Sequence, residues 1–111
     1  MAYNECQAGR FRNALTGKSE IAEKRMMGGL IFLLNGNMIG GVDIDPSGAN
    51  RFMFRVGPER MAQALSRPGA QPVIMAGRRM NGFVFVLDCD ERVLENRISF
   101  ALSFVKELPP K

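Results

Sequence analysis

Residues 23–41 read EKRMMGGLIFLLNGNMIGG, with five glycines among nineteen mostly apolar residues. Such a stretch is either a glycine-rich loop that cradles a phosphate or a pair of strands that turn on glycine. The phosphate reading needs G-x-G-x-x-G, or G-x-x-x-x-G-K-S/T, set between a strand and a helix. Neither pattern is present, and the nearest imitation, Gly17-Lys18-Ser19, has Arg12 where the first glycine belongs and a helix-like segment in front of it. Leu30 to Leu34 reads instead as a buried strand, apolar on both faces. Asn35-Gly36 tolerates positive φ at both positions and signals a two-residue hairpin. Met38 to Ile44 is then the returning strand, with Met38, Val42 and Ile44 on one face and Asp43 on the other. Gly28-Gly29 and Gly40-Gly41 mark places where strands bend or approach closely.

Working outward, Ile21 to Met26 predicts a short strand, and Asn4 to Thr16 predicts a helix with Ala8, Phe11, Ala14 and Leu15 at helical spacing. Asn4 and Gln7 have the form of a capping box, and Gly17 is the expected stop. On the other side, Asp45-Pro46-Ser47-Gly48 is a turn. Arg51 to Val56 alternates, with Phe52, Phe54 and Val56 facing one way and Arg51, Met53 and Arg55 the other. Gly57-Pro58-Glu59 opens a second helix that stops by Arg67, before Pro68-Gly69. Pro72 to Met75 is a strand, Gly77 to Gly82 a basic turn, and Phe83 to Leu87 a strand with Phe83, Phe85 and Leu87 on one face. Asp90 caps a last helix from about Glu91 to Leu108, whose stripe is Leu94, Ile98, Ala101, Leu102, Val105 and Leu108. Phe100 and Phe104 widen that stripe, so the helix is expected to be deeply buried or to touch a partner. The order α-β-β-β-β-α-β-β-α, with hairpin-linked strands, predicts an α+β fold: an antiparallel sheet with helices packed on one face.

A chain of 111 residues is expected to form a single domain, 1–111, around one modest core. No apolar run approaches a membrane span. The segment MAYNECQAGR lacks an apolar signal core, so secretion is not expected. Two cysteines, Cys6 and Cys89, and no histidine exclude a four-ligand Cys or Cys/His zinc site and any Cys-His or Ser-His pair. Both thiols fit a reducing cytoplasm, and carboxylates flank Cys89 in Asp88-Cys89-Asp90, which disfavours a thiolate. Asp88, Asp90 and Glu91 read as a charged helix start, and Asp43 with Asp45 as part of a turn rather than a metal site. No catalytic, cofactor-binding or metal-binding residue emerges.

Net charge is +4, and the excess is concentrated. Between Arg51 and Leu87 six arginines, at positions 51, 55, 60, 67, 78 and 79, face one acid, Glu59. Guanidinium is a rigid donor fork suited to phosphate or carboxylate. Arg51, Arg55, Arg78 and Arg79 are therefore the candidate contacts for a partner or for nucleic acid. A helix-turn-helix is excluded because two strands separate the second and third helices. Base stacking is disfavoured because the core claims Phe52 and Phe54.

An ordered set of motifs resembles the N-terminal domain of the TfoX/Sxy family. It comprises Glu23-Lys24-Arg25-Met26-Met27-Gly28-Gly29-Leu30, Asn35-Gly36-Asn37-Met38, Arg55-Val56-Gly57-Pro58-Glu59, Ala64-Leu65 with Arg67-Pro68-Gly69-Ala70, Gly77-Arg78 with Met80 and Gly82-Phe83-Val84, Ala101-Leu102-Ser103-Phe104, and Leu108-Pro109-Pro110-Lys111. Met27 stands where that family usually has Phe, Arg79 where Pro is common, and the last helix lacks its frequent tryptophan. The resemblance covers nearly the whole chain and implies a stand-alone N-terminal module. It implies a fold similar to the type III secretion chaperone class, in which dimers are frequent. It also implies kinship with bacterial competence regulators that work with the cyclic-AMP receptor protein in transcription, and it carries no catalytic motif.

Three functions follow as expectations. The first is a non-enzymatic regulatory module acting through protein contacts in transcription, in the cytoplasm, with a homodimer expected from the sheet edges and the broad apolar last helix. The alternative is direct weak nucleic-acid binding through the arginine-rich face. A small enzyme ranks last, for want of histidine and of grouped acids.

Overall fold

The computed structural model describes residues 3–26, 28–75, 77–87 and 89–111; Met27 of the first family motif and Asp88 of the acidic trio lie outside the described residues. Ten elements are present: the nine helices and strands in the expected order, and a 3₁₀ turn ahead of the second helix. They are α1 (Glu5–Ala14), β1 (Ile21–Met26), β2 (Gly29–Leu34), β3 (Asn37–Ile44), β4 (Asn50–Arg55), a 3₁₀ turn (Pro58–Arg60), α2 (Met61–Leu65), β5 (Ala70–Met75), β6 (Arg78–Leu87) and α3 (Glu91–Val105). The six strands form one antiparallel sheet in the order β1-β2-β3-β4-β6-β5. Only the step from β4 to β6 skips a neighbour, because β5 returns on the outer side of β6.

All three helices cover one face. Their apolar residues join Leu30, Phe32, Ile39, Val42, Phe52, Phe54, Val84 and Val86 in the main core. Phe11 of α1 is the plug: its ring stacks on Phe32 at 4.5 Å and lies 5.9 Å from Phe54. From α3, Leu94, Ile98, Ala101 and Val105 are buried. Leu102 and Leu108 are only half-buried, and α3 ends at Val105, three residues short of the sequence expectation, which leaves Leu108 outside it. The segment beyond it leaves the helix and docks on the β2–β3 turn. Lys111 N donates to Asn35 O at 2.8 Å, and the buried Asn37 donates through Nδ2 to Pro109 O at 2.9 Å.

The helix starts follow their caps. Asn4 Oδ1 accepts from Gln7 N at 3.2 Å, and Asp90 Oδ1 accepts from Val93 N at 2.9 Å. The capping box is only half made. The Gln7 side chain does not reach back but is buried, and both its Nε2 and its Oε1 lack a partner among the described residues. The second helix is a 3₁₀ turn on Pro58 followed by a short α-helix, and it does stop before Arg67.

The nineteen-residue stretch is a hairpin, and Asn35 and Gly36 turn it with φ of 53° and 83°. In one respect the expectation fails. Met38 does not share a face with Val42. Pairing shifts between Phe32 and Leu33, which face Gly40 and Met38, so Ile39 is an extra residue in β3. This bulge turns Met38 to the face that carries Asp43, while Ile39 enters the main core. Glycine permits it: a β-carbon on Gly40 would lie 2.0 Å from Met53 O. At Gly41 it would meet Leu30 O at 2.3 Å and the Ile31 side chain at 2.8 Å. Neighbouring strands and Ile31, rather than a ligand, occupy the space that these glycines leave.

A second correction concerns the basic turn. Arg78 to Gly82 is strand, not loop, because β5 supplies partners: Met75 pairs with Arg78 and Ile74 with Arg79. The register then shifts between Pro72 and Ile74, and Gly82, at φ 93°, instead bonds through its carbonyl to the N–H groups of Val56 and Gly57.

Candidate functional site

Among the described residues, no helix lies on the second face of the sheet. Strand alternation sends Ile31, Met53, Phe85 and Asp43 to it, the bulge adds Met38, and the shifted β5–β6 register adds Val73 and Met80. A second apolar cluster results, centred on Ile31, Met53, Val73 and Phe85, all 4% exposed or less. Half-buried around them stand Met26, Leu33, Met38, Met80 and Phe83. No helical residue belongs to this cluster. Its perimeter is thus apolar, rich in methionine, and open to solvent.

The four candidate arginines do not converge. Arg51 is on the open face, as expected, but its fork is taken. Nε donates to Asp43 Oδ1 at 2.8 Å and Nη2 to Asp43 Oδ2 at 3.1 Å, while its guanidinium lies 3.5 Å from the Phe85 ring centroid. Such a bidentate, half-buried pair leaves little charge for a phosphate. Arg55 pairs across the ladder with Phe83, four residues along β4 from Arg51, which is about 13 Å of strand. Its guanidinium lies 5.8 Å from the Phe83 ring and 5.7 Å from that of Phe104, so it straddles the rim between the open face and α3. Arg78 and Arg79 are exposed at the far end of the β5–β6 hairpin. Alternation identified the face correctly. It did not find the Asp43 partner, because cross-strand register is a tertiary fact.

The acids beside this face are also engaged. Asp45 Oδ1 accepts from Ser47 Oγ at 2.6 Å and from the N–H groups of Ser47 and Ala49, each at 2.9 Å. The Ser47 hydroxyl, then the Ala49 amide, hold its carboxyl below the usual range. Asp43 answers Arg51. Among the described residues no three of His, Cys, Asp and Glu gather in a metal-binding group. No disulfide joins Cys6, which is exposed, to Cys89, which is half-buried.

The sequence reading passed over one cationic cluster, on the helix side. Arg60 and Arg67, within the arginine-rich segment, both lie over Phe100 of α3, and Arg67 shares the Asn96 side-chain oxygen with Arg97. The available signal was helical spacing: Asn96, Arg97, Phe100 and Ser103 fall on one flank of α3. What faces that flank was not readable.

Compared with known protein families, with characterised proteins and with solved structures, the chain matches none.

Proposed function

We propose that the protein is a non-enzymatic interaction module that holds a protein partner on the open face of its sheet and works in transcription. The observation that carries the reading is the apolar perimeter of Met26, Leu33, Met38, Met80 and Phe83, which no helix among the described residues covers. Methionine is flexible and polarizable and suits a surface that adapts to a partner. Charge narrows the occupant. Lys24 pairs with Ile31 and so points to this face, Arg55 stands at its rim, and Asp43 there already answers Arg51. The fitting partner is a short apolar segment flanked by carboxylates. The link to transcription rests on the resemblance to the TfoX/Sxy N-terminal domain, and the cytoplasm on two thiols without a disulfide.

The alternative, nucleic-acid binding through Arg51, Arg55, Arg78 and Arg79, has less support, because Arg51 is engaged and the other three are spread along two strands. Affinity pull-down from a bacterial lysate tests the first reading, comparing the wild type with a Leu33→Ser/Met38→Ser double variant and with Arg78→Ala/Arg79→Ala. A transcription component held by the wild type and the arginine variant, lost from the double variant and weakened by salt is the expected result. Equal recovery by all three proteins, or no transcription component in repeated captures, ends the proposal. If the captured species is the chain itself, the face is a homodimer interface instead.

A further inference from the structure

On the opposite side of the sheet, the chain from Arg60 to Arg67 runs along one flank of α3. Two clamps join them. Arg60 Nη1 donates to Ser103 Oγ, and Arg67 Nη1 donates to Asn96 Oδ1 at 2.8 Å. Both guanidinium groups lie over Phe100, at 5.4 and 4.3 Å from its ring centroid. Arg97 donates from its own Nη1 to the same Asn96 oxygen at 2.9 Å. The Nη1 atoms of Arg67 and Arg97 are therefore less than two hydrogen-bond lengths apart, facing one neutral acceptor. No carboxylate pairs with Arg60, Arg67 or Arg97 among the described residues. Arg97 Nε is buried without a partner. Beneath them is a cavity of about 10 Å³, room for one water, walled by Phe54, Val56, Val84 and Val86.

Two cations, Arg67 and Arg97, that share one neutral acceptor beside an apolar floor, with no carboxylate partner among the described residues, are an unfavourable arrangement for the protein alone. Burial, then the charge of Arg67, push the Arg97 pKa below its ordinary value. A structural clamp between α2 and α3 would need only Arg60 and Arg67; it would not need a third cation aimed at the same oxygen. The missing component is an anion with acceptors for two forks and charge enough for two cations. A carboxylate balances one guanidinium, whereas a phosphate dianion balances two and its tetrahedral oxygens accept from both. The floor is too small for an apolar moiety, so the rest of the ligand must project into solvent.

We infer that Arg67 and Arg97, with Arg60 beside them, form a binding site for the phosphate group of a small molecule, with Asn96 Oδ1 holding the donors in place when the site is empty. This site is on the helix-covered side and is independent of the open face proposed for the protein partner.

Thermal unfolding in chloride buffer, with and without inorganic phosphate or glycerol phosphate at matched ionic strength, tests the assignment. At a dissociation constant of about 1 mM, about 10 mM ligand favours the folded state roughly tenfold. For a domain of this size that raises the midpoint by several degrees, roughly 5 °C. Response to both ligands identifies phosphate monoesters as the class, and response to inorganic phosphate alone restricts the site to the free ion. Arg97→Met should raise the midpoint in chloride, by removing repulsion and a desolvated charge, while abolishing the phosphate response. Asn96→Asp should do the same with every arginine kept, because it supplies the counter-charge from within, and Arg78→Ala/Arg79→Ala should respond as the wild type does. No response of the wild type to either ligand overturns the inference. So does a response that survives in both Arg97→Met and Asn96→Asp.

Discussion

At Gly40 the side chain of any other residue would enter space that Met53 O occupies, since a β-carbon there falls 2.0 Å from that oxygen. The backbone of β3 would have to move, and with it the bulge that turns Met38 to the open face. Gly40→Ala is expected to destabilise the fold by about 2–3 kcal/mol, the upper range of overpacking. Gly9 is the contrast. It lies inside α1, and a β-carbon there meets nothing within 4 Å. Gly9→Ala should stabilise by about 0.5–1 kcal/mol through helix propensity. Urea unfolding of the two variants gives opposite shifts if glycine serves close approach at one site and is only tolerated at the other. The sequence showed five glycines in one stretch, but that a neighbouring strand's carbonyl abuts three of them, Gly29, Gly40 and Gly41, was set by pairing.

Between elements, α1 is tied to the edge strand β1 by Arg12, whose Nε and Nη2 donate to Glu23 Oε2 at 2.5 Å and Oε1 at 2.8 Å. The hydrogen bond from Arg12 holds the Glu23 carboxyl below the usual range; burial opposes it as the next-largest effect, and the charge of Arg12 adds a smaller lowering. A depressed carboxylate contributes stability that is fully present above its unfolded pKa and is lost as pH falls through its folded pKa. Wild-type stability should therefore decline from about pH 5 downward more steeply than that of Glu23→Gln, and the two curves should converge once Glu23 is protonated. Urea midpoints measured across that range check the sign; parallel curves would mean that the pair is not formed in solution. The order of helices and strands was legible from periodicity, the Asn35-Gly36 turn and the caps at Asn4 and Asp90, but not the 3₁₀ turn that precedes α2. Boundaries failed where long-range pairing decided them. Arg78 to Gly82 looked like a basic turn because nothing local announces that Ile74 and Met75 pair with Arg79 and Arg78. The end of α3 was misplaced because Pro109 and Lys111 find partners on the β2–β3 turn.

Over the whole molecule, the sheet is a partition between two apolar faces of unequal status. The helix face is packed under three helices, and truncating the buried Ile98 to alanine there should cost about 2–5 kcal/mol. On the open face, Met38 is half-buried, and Met38→Ser is expected to cost below about 1 kcal/mol. Chemical unfolding of both variants measures the difference; equal costs would show that something covers the open face in solution. No helix among the described residues is long and apolar enough to cross a membrane.

The sequence by itself determined the α+β class, the order of elements and the fact that Arg51, Met53 and Arg55 face away from Phe52 and Phe54. Those follow from periods of 2 and 3.6 and from local turn chemistry, all carried by near neighbours in the chain. Only the tertiary structure decided that Asp43 takes up Arg51, that a bulge moves Met38 to the open face, and that Arg97 comes to stand beside Arg67. Each depends on which strand or helix lies opposite, and that is set by the packing of residues remote in sequence. For that reason charge counting located the arginine-rich half of the chain but not which residue each arginine meets.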